Sequence, residues 1–331
     1  MRSFTARLRR PRRRWSRHHS FGLLACIALF TGAGINGWGW LPTGWAVVQS
    51  VQSTTKQLPE VAPVRGRVLF VSPHPDDETL AAAGLLQDVQ EHGGQAFVVF
   101  LTNGDGFPWD ARATSSRPIL TAQDYLRLGE IRMREALAAT AQLGIPAENV
   151  IFLGFPDRGL TKIYTENYLV PFRSPYTRVR HVPYDGVLEP NAPYTGKKLE
   201  QLLTRVFNEI KPDVVLAPSV LDGHPDHRTA SYVATRLASE RGEQLYYYIV
   251  HGGLEWPLPK GYHPDLPLAP PRLEQQGVRW QRFELDPHEE ERKAAAIREY
   301  RSQLKILSRF MWAFARDNEL LLPANTEGRV K

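Results

Sequence analysis

The chain has 331 residues, 42% hydrophobic and 23% charged, which reads as globular and able to bury a core. Its net charge of +6 is misleading, because residues 1–20 hold eight Arg and no acid, and removing those eight cations leaves the remainder at −2. A nucleic-acid surface on the main domain is therefore not supported. The single cysteine, Cys26, excludes an intrachain disulfide and a cysteine-based metal site.

Residues 1–20 form an Arg-rich arm. Residues 21–48 follow without a charge, longer than the roughly 20 apolar residues a spanning helix needs but interrupted by Gly, Asn36 and Pro42. Trp38, Trp40 and Trp45 resemble an interfacial aromatic belt, and the preceding cations place the N-terminus inside. The expectation is a single-pass signal anchor in the cell membrane with the body outside. A cleaved signal peptide releasing a secreted protein is the alternative. Gly32-Ala-Gly34-Ile-Asn-Gly37 matches a dinucleotide fingerprint but lacks the strand, helix and following acid that the motif requires, so it is set aside.

Residues 49–63 are polar and proline-containing and read as a linker; residues 64–310 read as one domain and 311–331 as a tail. Val68–Val71 is a short strand, followed by a helix from about Asp76 to Glu91 that stops at Gly93-Gly94. Ala96–Leu101 is a second strand, and a helix runs from about Ala122 to Leu143. Val150–Leu153 is a third strand. Residues 155–195, rich in Tyr, Pro and Arg and without period, read as a long functional loop. A helix over Gly196–Ile210 leads to a strand at Val214–Ala217, a helix over about Pro225–Glu240 and a strand at Tyr246–Val250. Pro-rich residues 252–278 precede a strand near Trp280–Phe283 and one helix from about His288 to Arg309.

The apolar runs are continuous rather than alternating, as in strands covered on both faces. Their alternation with helices predicts an α/β fold: a Rossmann-like, doubly wound, mostly parallel sheet with helices on both faces.

Two segments carry chemistry. Pro73-His74-Pro-Asp76-Asp77-Glu78 lies where the first strand gives way to a helix, and Asp222-Gly-His224-Pro-Asp226-His227 lies at the same kind of turn after the Val214 strand. Ligands of open α/β sheets bind at that edge. Helix capping accounts for Asp and Pro at such positions but not for three histidines. Imidazole and carboxylate together suit Zn²⁺, whose catalytic sites take three protein ligands and leave one position open; ligand type alone also admits another divalent metal.

With these motifs the sequence resembles the PIG-L (LmbE-like) deacetylase family, whose signature is a strand followed by [AP]-H-P-D-D-E and a downstream H-P-D-H. Thr102-Asn-Gly-Asp105, Arg132 with Glu135, Leu143-Gly144 and Pro156-Asp157 fall in the family's order between them. The resemblance covers about residues 66–305. It implies an LmbE-like fold and a zinc-dependent hydrolase that removes the acetyl group from an N-acetylglucosamine-type sugar. It implies His74, Asp77 and His227 as metal ligands and Asp76 as general base. His224 would stabilise the oxyanion, oriented and kept protonated by Asp226. Arg132 and Asp157 resemble contacts to substrate hydroxyls, and His251 follows the fifth strand at the same edge and could line the pocket.

The implied partner is an amino-sugar glycan or glycolipid, with the membrane through the N-terminal segment and no nucleic acid. Other readings keep parts of this picture: an amidase on a bulkier acyl group with the same zinc, a membrane-tethered sugar-binding module without chemistry, or a phosphoesterase. The last is disfavoured because two-metal sites need more carboxylates than the two motifs supply.

Overall fold

A computed structural model of the chain describes residues 55–324 apart from 116, 254–255 and 272–277. In chain order the elements are β1 (Arg67–Ser72), α1 (Asp77–Glu91), β2 (Gln95–Thr102), α2 (Pro108–Thr114), α3 (Ala122–Gln142), β3 (Val150–Phe155), α4 (Leu160–Thr165) and α5 (Gly196–Ile210). They continue with β4 (Val214–Pro218), α6 (Pro225–Arg241), β5 (Gln244–Tyr248), β6 (Gln281–Glu284), α7 (Pro287–Glu299), α8 (Arg301–Trp312) and β7 (Asn318–Pro323).

The strands form one sheet in the order β3-β2-β1-β4-β5-β7-β6. β1 to β5 are parallel, β7 runs antiparallel to β5, and β6 runs antiparallel to β7. The sheet is α/β and mostly parallel, as the sequence predicts. From β1 the chain winds outward through β2 and β3, then crosses back to β4 on the other side of β1. β1 and β4 are hydrogen-bonded neighbours, with Val68, Leu69 and Phe70 opposite Val214, Val215 and Leu216. The reversal of winding opens a crevice at their carboxyl ends.

The continuous apolar runs are the centre of the core: Val68, Leu69, Phe70 and Val71 are inaccessible, as are Val215, Leu216 and Ala217. Helix α5 shows the complementary pattern, burying Leu199, Leu202, Leu203, Val206, Phe207 and Ile210 at helical spacing. Thr195 caps it by accepting the Lys198 N–H at 3.2 Å.

Several boundaries differ from the sequence reading. Residues 59–61, read as linker, run along β6: Val61 N donates to Arg282 O at 2.8 Å and Arg282 N to Pro59 O at 2.9 Å. The stretch read as a tail contributes β7, buried from Asn318 to Leu322 between β5 and β6. The single helix expected to about Arg309 is two, α7 and α8, broken at Tyr300, whose ψ of 56° leaves the helical region. The long 155–195 segment forms α4 and then packs on the β3 edge, with Leu188 N donating to Phe152 O at 2.8 Å and Val182, Tyr184 and Tyr194 buried.

The membrane expectation is corrected. Among the described residues no helix is long and apolar enough to cross a membrane. Residues 21–48, on which the anchor and the membrane partner rested, lie outside the described residues.

Candidate metal centre

Adjacent strands bring the two motifs together. His74 follows β1, and His224 and His227 begin α6 just after β4. His74 Nδ1 lies 3.2 Å from His227 Nε2. Asp77 Oδ2 completes a triangle, 3.6 Å from His74 Nδ1 and 3.3 Å from His227 Nε2. Tetrahedral ligands at about 2.0–2.2 Å from zinc stand roughly 3.3–3.5 Å apart, so the three donors fit a common divalent cation. Asp77 Oδ2 also accepts the His74 N–H at 2.9 Å, which ties the two candidate donors after β1 to each other. All three residues are buried.

Further donors crowd this centre. His74 with His224 and His227, Asp77 with His227 and His251, and His74 with Asp157 and Asp226 each place their donor atoms within 4.8 Å of one another. His227 Nδ1 stands 3.2 Å from Asp222 Oδ2, the carboxylate-behind-imidazole arrangement that fixes the orientation of metal-bound histidines. Asp222 is itself held by the backbone N–H groups of His224, Val250 and His251 at 2.8, 2.9 and 3.0 Å.

Electrostatics follow this packing. Burial alone would lower His227, but Asp222 and Asp77 raise it to about 10. Burial opposes the charge on Asp77 too, yet His227 and His74 hold its pKa well below 3.8. His74 is pulled down by burial and raised more by Asp157, Asp226 and Asp77, ending well above 6.5. An anionic pocket that draws positive charge onto its imidazoles is one a divalent cation can enter by displacing protons.

Asp76 differs from its neighbour. It takes φ 125°, a strained conformation for a residue with a side chain, at the turn into α1. Burial, then the Asp77 charge, raise it to about 8 against the opposing pull of Arg132 and His74. A carboxylate in that range exchanges protons near neutral pH, as a general base must. Its Oδ2 faces Arg132 at 3.6 Å and accepts from the Gln303 amide.

The remaining expected site residues are also gathered here, some facing other ways. Arg132 is buried and donates to Gly104 O at 3.0 Å and Pro75 O at 2.7 Å, so it braces the loops around Asp76. Gly104 has φ 65°, and a Cβ there would lie 2.1 Å from the Arg132 guanidinium, so the position needs glycine. Asp157 Oδ1 stands 3.2 Å from His74 Nε2, while its Oδ2 accepts the Gly106 N–H at 3.1 Å. His251 joins the histidine cluster, its ring centroid 4.8 Å from His227 and 5.2 Å from His224, and burial lowers its pKa to about 4.

One expectation is revised. The Asp226 carboxylate accepts backbone N–H groups of Arg158 at 2.6 Å and Leu160 at 3.1 Å, and lies 3.5 Å from His74 Nε2. His224 instead caps α6, its Nδ1 accepting the Asp226 backbone N–H at 3.2 Å. An imidazole nitrogen that accepts carries no proton, and burial with the neighbouring His74 and His227 charges lowers His224 to about 2. Burial and this contact therefore disfavour the protonated form of His224, against the expectation that Asp226 keeps it protonated.

Three contributors were not picked out as site residues from sequence. Asp222 stood within the quoted second motif, two residues before His224. Gln303 and Tyr300, which hydrogen-bonds Glu78, lie more than 200 residues from their partners and carry no local signal.

A doubly wound α/β sheet with an imidazole and carboxylate cluster at its switch point defines a protein built around a candidate divalent-metal centre. Residues 69–238 match the PIG-L family, described as GlcNAc-PI de-N-acetylase, and the chain belongs to that family. Among its relatives is a 1D-myo-inositol 2-acetamido-2-deoxy-alpha-D-glucopyranoside deacetylase of Mycobacterium sp. (strain KMS), 28% identical over 65% of this chain and 60% of the relative. A protein of the same name from Saccharomonospora viridis is 31% identical over 55% of this chain and 62% of the relative. The chain thus spans about three fifths of the length of these relatives. The fold matches the crystal structure of a pseudoaglycone deacetylase of an antimicrobial reagent at TM-score 0.50 and 20% identity, covering 78% of this chain and 97% of that one. A deacetylase of the teicoplanin biosynthesis pathway matches at TM-score 0.50 and 17% identity, with the same coverage.

Proposed function

We propose that this protein is a metal-dependent N-deacetylase that hydrolyses the acetamide of an N-acetylglucosamine-type sugar. The observation that carries the reading is the meeting of His74 Nδ1, His227 Nε2 and Asp77 Oδ2 within 3.2–3.6 Å of one another, next to a carboxylate, Asp76, raised to about 8. Family membership and relatives named for a 2-acetamido-2-deoxy sugar support the substrate class.

His74, Asp77 and His227 would hold the cation, zinc by donor type, which supplies Lewis-acid polarisation of the amide carbonyl and acidifies a water. Asp76 takes the proton as water adds to the carbonyl carbon. The same group then returns it to the leaving nitrogen, giving acetate and the free amine. His224, neutral and with Nε2–H available, donates a hydrogen bond to the oxygen that becomes negative in the tetrahedral state. Asp157, beside His74, and His251, beside His224, stand at the same cluster and are the candidates for contacts to the sugar. Asp222 orients His227.

The test is chelator-sensitive acetate release. Purified protein loaded with zinc is expected to liberate acetate from N-acetylglucosaminides, to lose activity on chelation and to regain it on adding metal. Hydrolysis only of larger acyl amides would transfer the site to a different amidase. No metal-dependent release from any such sugar would end the deacetylase reading.

A further inference from the structure

The junction of α7 and α8 hydrogen-bonds into the catalytic elements through three of four consecutive residues. Tyr300 OH donates to Glu78 Oε1. Ser302 grips Glu135 twice, its N–H to Oε1 at 2.8 Å and its hydroxyl to Oε2 at 2.6 Å. Gln303 Nε2 donates to Asp76 Oδ2. Tyr300, Ser302 and Gln303 are all buried, and all lie beyond residues 69–238, the stretch that matches the family.

Each contact bears on Asp76. Glu78 Oε2 accepts the Asp76 backbone N–H at 3.2 Å, so Tyr300 acts on the strained turn through Glu78. Thr79 Oγ1 holds the other Glu78 oxygen at 2.5 Å, so Glu78 is fixed from two sides. Glu135 lies one turn along α3 from Arg132, whose guanidinium faces Asp76 Oδ2 at 3.6 Å. Gln303 meets the carboxylate itself, at that same oxygen. At φ 125° the Asp76 backbone is strained, and these contacts act on both its N–H and its carboxylate.

We propose that the Tyr300–Gln303 junction is the positioning element of the base: Gln303 and Arg132 hold Asp76 Oδ2 and leave Oδ1 as the proton-accepting oxygen, while Tyr300 through Glu78 fixes the backbone beneath it. The proposal rests on the deacetylase reading for its chemistry, but its geometry can be tested apart from it. The break at Tyr300 turns α8 so that Ser302 and Gln303 reach α3 and the turn before α1 together. Gln303 is a positioning residue: it touches the base, not the substrate.

The experiment compares wild type with Gln303→Met, which keeps length and volume but removes the donor, and with Tyr300→Phe. Gln303→Met is expected to lower kcat by roughly a hundredfold, the scale of a misplaced catalytic group, with KM within about threefold and zinc content unchanged. Tyr300→Phe should lower kcat by roughly tenfold with the same signature. A merely structural role predicts a lower Tm with normal kcat per folded molecule, and kcat within about twofold of wild type in Gln303→Met would overturn the proposal. If wild type itself hydrolyses no N-acetylated sugar, the deacetylase reading has failed and crystal structures decide the geometry. An Asp76 carboxylate rotated away from Arg132 in Gln303→Met supports the positioning role; an unmoved carboxylate overturns it.

Discussion

His74 Nδ1 lies 3.2 Å from His227 Nε2 across 153 residues of chain. The surrounding carboxylates draw protons onto both of these buried rings, and a cation that accepts both lone pairs takes the place of those protons. The prediction is metal-linked stability. Zinc is expected to bind one per chain and raise Tm, with about 2.7 kcal/mol of stabilisation when free metal stands at a hundred times Kd. His74→Ala and His227→Ala should remove both the stoichiometric metal and the shift, read by metal analysis and thermal unfolding. An unchanged Tm with zinc in wild type would mean that the triangle is not the metal site.

Asp76 and Asp77 are adjacent, yet one is raised to about 8 and the other held well below 3.8. The first is suited to move a proton, the second to stay charged beside a cation. Asp76→Asn should therefore cut kcat by roughly 10²- to 10⁴-fold, the span of a lost general base, and retain the metal. Asp77→Asn should lose metal along with activity. Metal loss in Asp76→Asn would reverse the two roles.

Much of this site was legible in sequence because its chemistry is local. Two His-Pro-Asp elements at strand-to-helix turns needed only the rule that parallel strands deliver ligands to one edge, and the β1–β4 pairing supplies the rest. What stayed hidden depends on direction or distance. The letters of His224-Pro-Asp226 do not say that the ring accepts Asp226's backbone N–H while its carboxylate turns to Arg158 and Leu160. Tyr300 breaks a helix with neither Pro nor Gly beside it, so periodicity ran through the break. β7 is six residues long and follows Arg316-Asp317, so it read as part of a tail although β5 and β6 pair with it.

Lys293 and Glu319 form a buried ion pair at 2.7 Å that ties α7 to β7. Glu319 also accepts the N–H groups of Gly84 and Leu85 at 2.9 and 3.1 Å, and Lys293 donates to Leu80 O at 3.2 Å. These α1 residues flank Ala82, whose φ of −148° breaks the helix and leaves its amides in need of an acceptor. Lys293→Met leaves a buried carboxylate without its cation and should cost about 3–5 kcal/mol. Replacing both partners, Lys293→Met with Glu319→Gln, should recover part of that loss, because no uncompensated charge remains. Denaturant unfolding of the two variants checks the order; a double variant as unstable as Lys293→Met would show that the amides of the kink, not the charge, set the cost.

Asp105 gives a pH dependence whose sign can be worked out. It is buried between the 155–195 segment and β2's loop, accepting Tyr184 OH at 2.6 Å and Asp157 N at 3.0 Å. Burial raises it from 3.8 to about 7, outweighing those two hydrogen bonds. The folded state therefore holds this proton more tightly than the unfolded state between pH 4 and 7, and stability linked to the group falls as pH rises through that window. The contribution is fully present below the unfolded value and lost as pH rises through the folded one. Asp105→Asn cannot titrate, so the Tm of wild type minus that of the variant should decline steadily from about pH 4 to pH 7 and level off above. A flat difference across that range would mean that Asp105 ionises at its ordinary pKa, and that the 155–195 segment does not shield it from water.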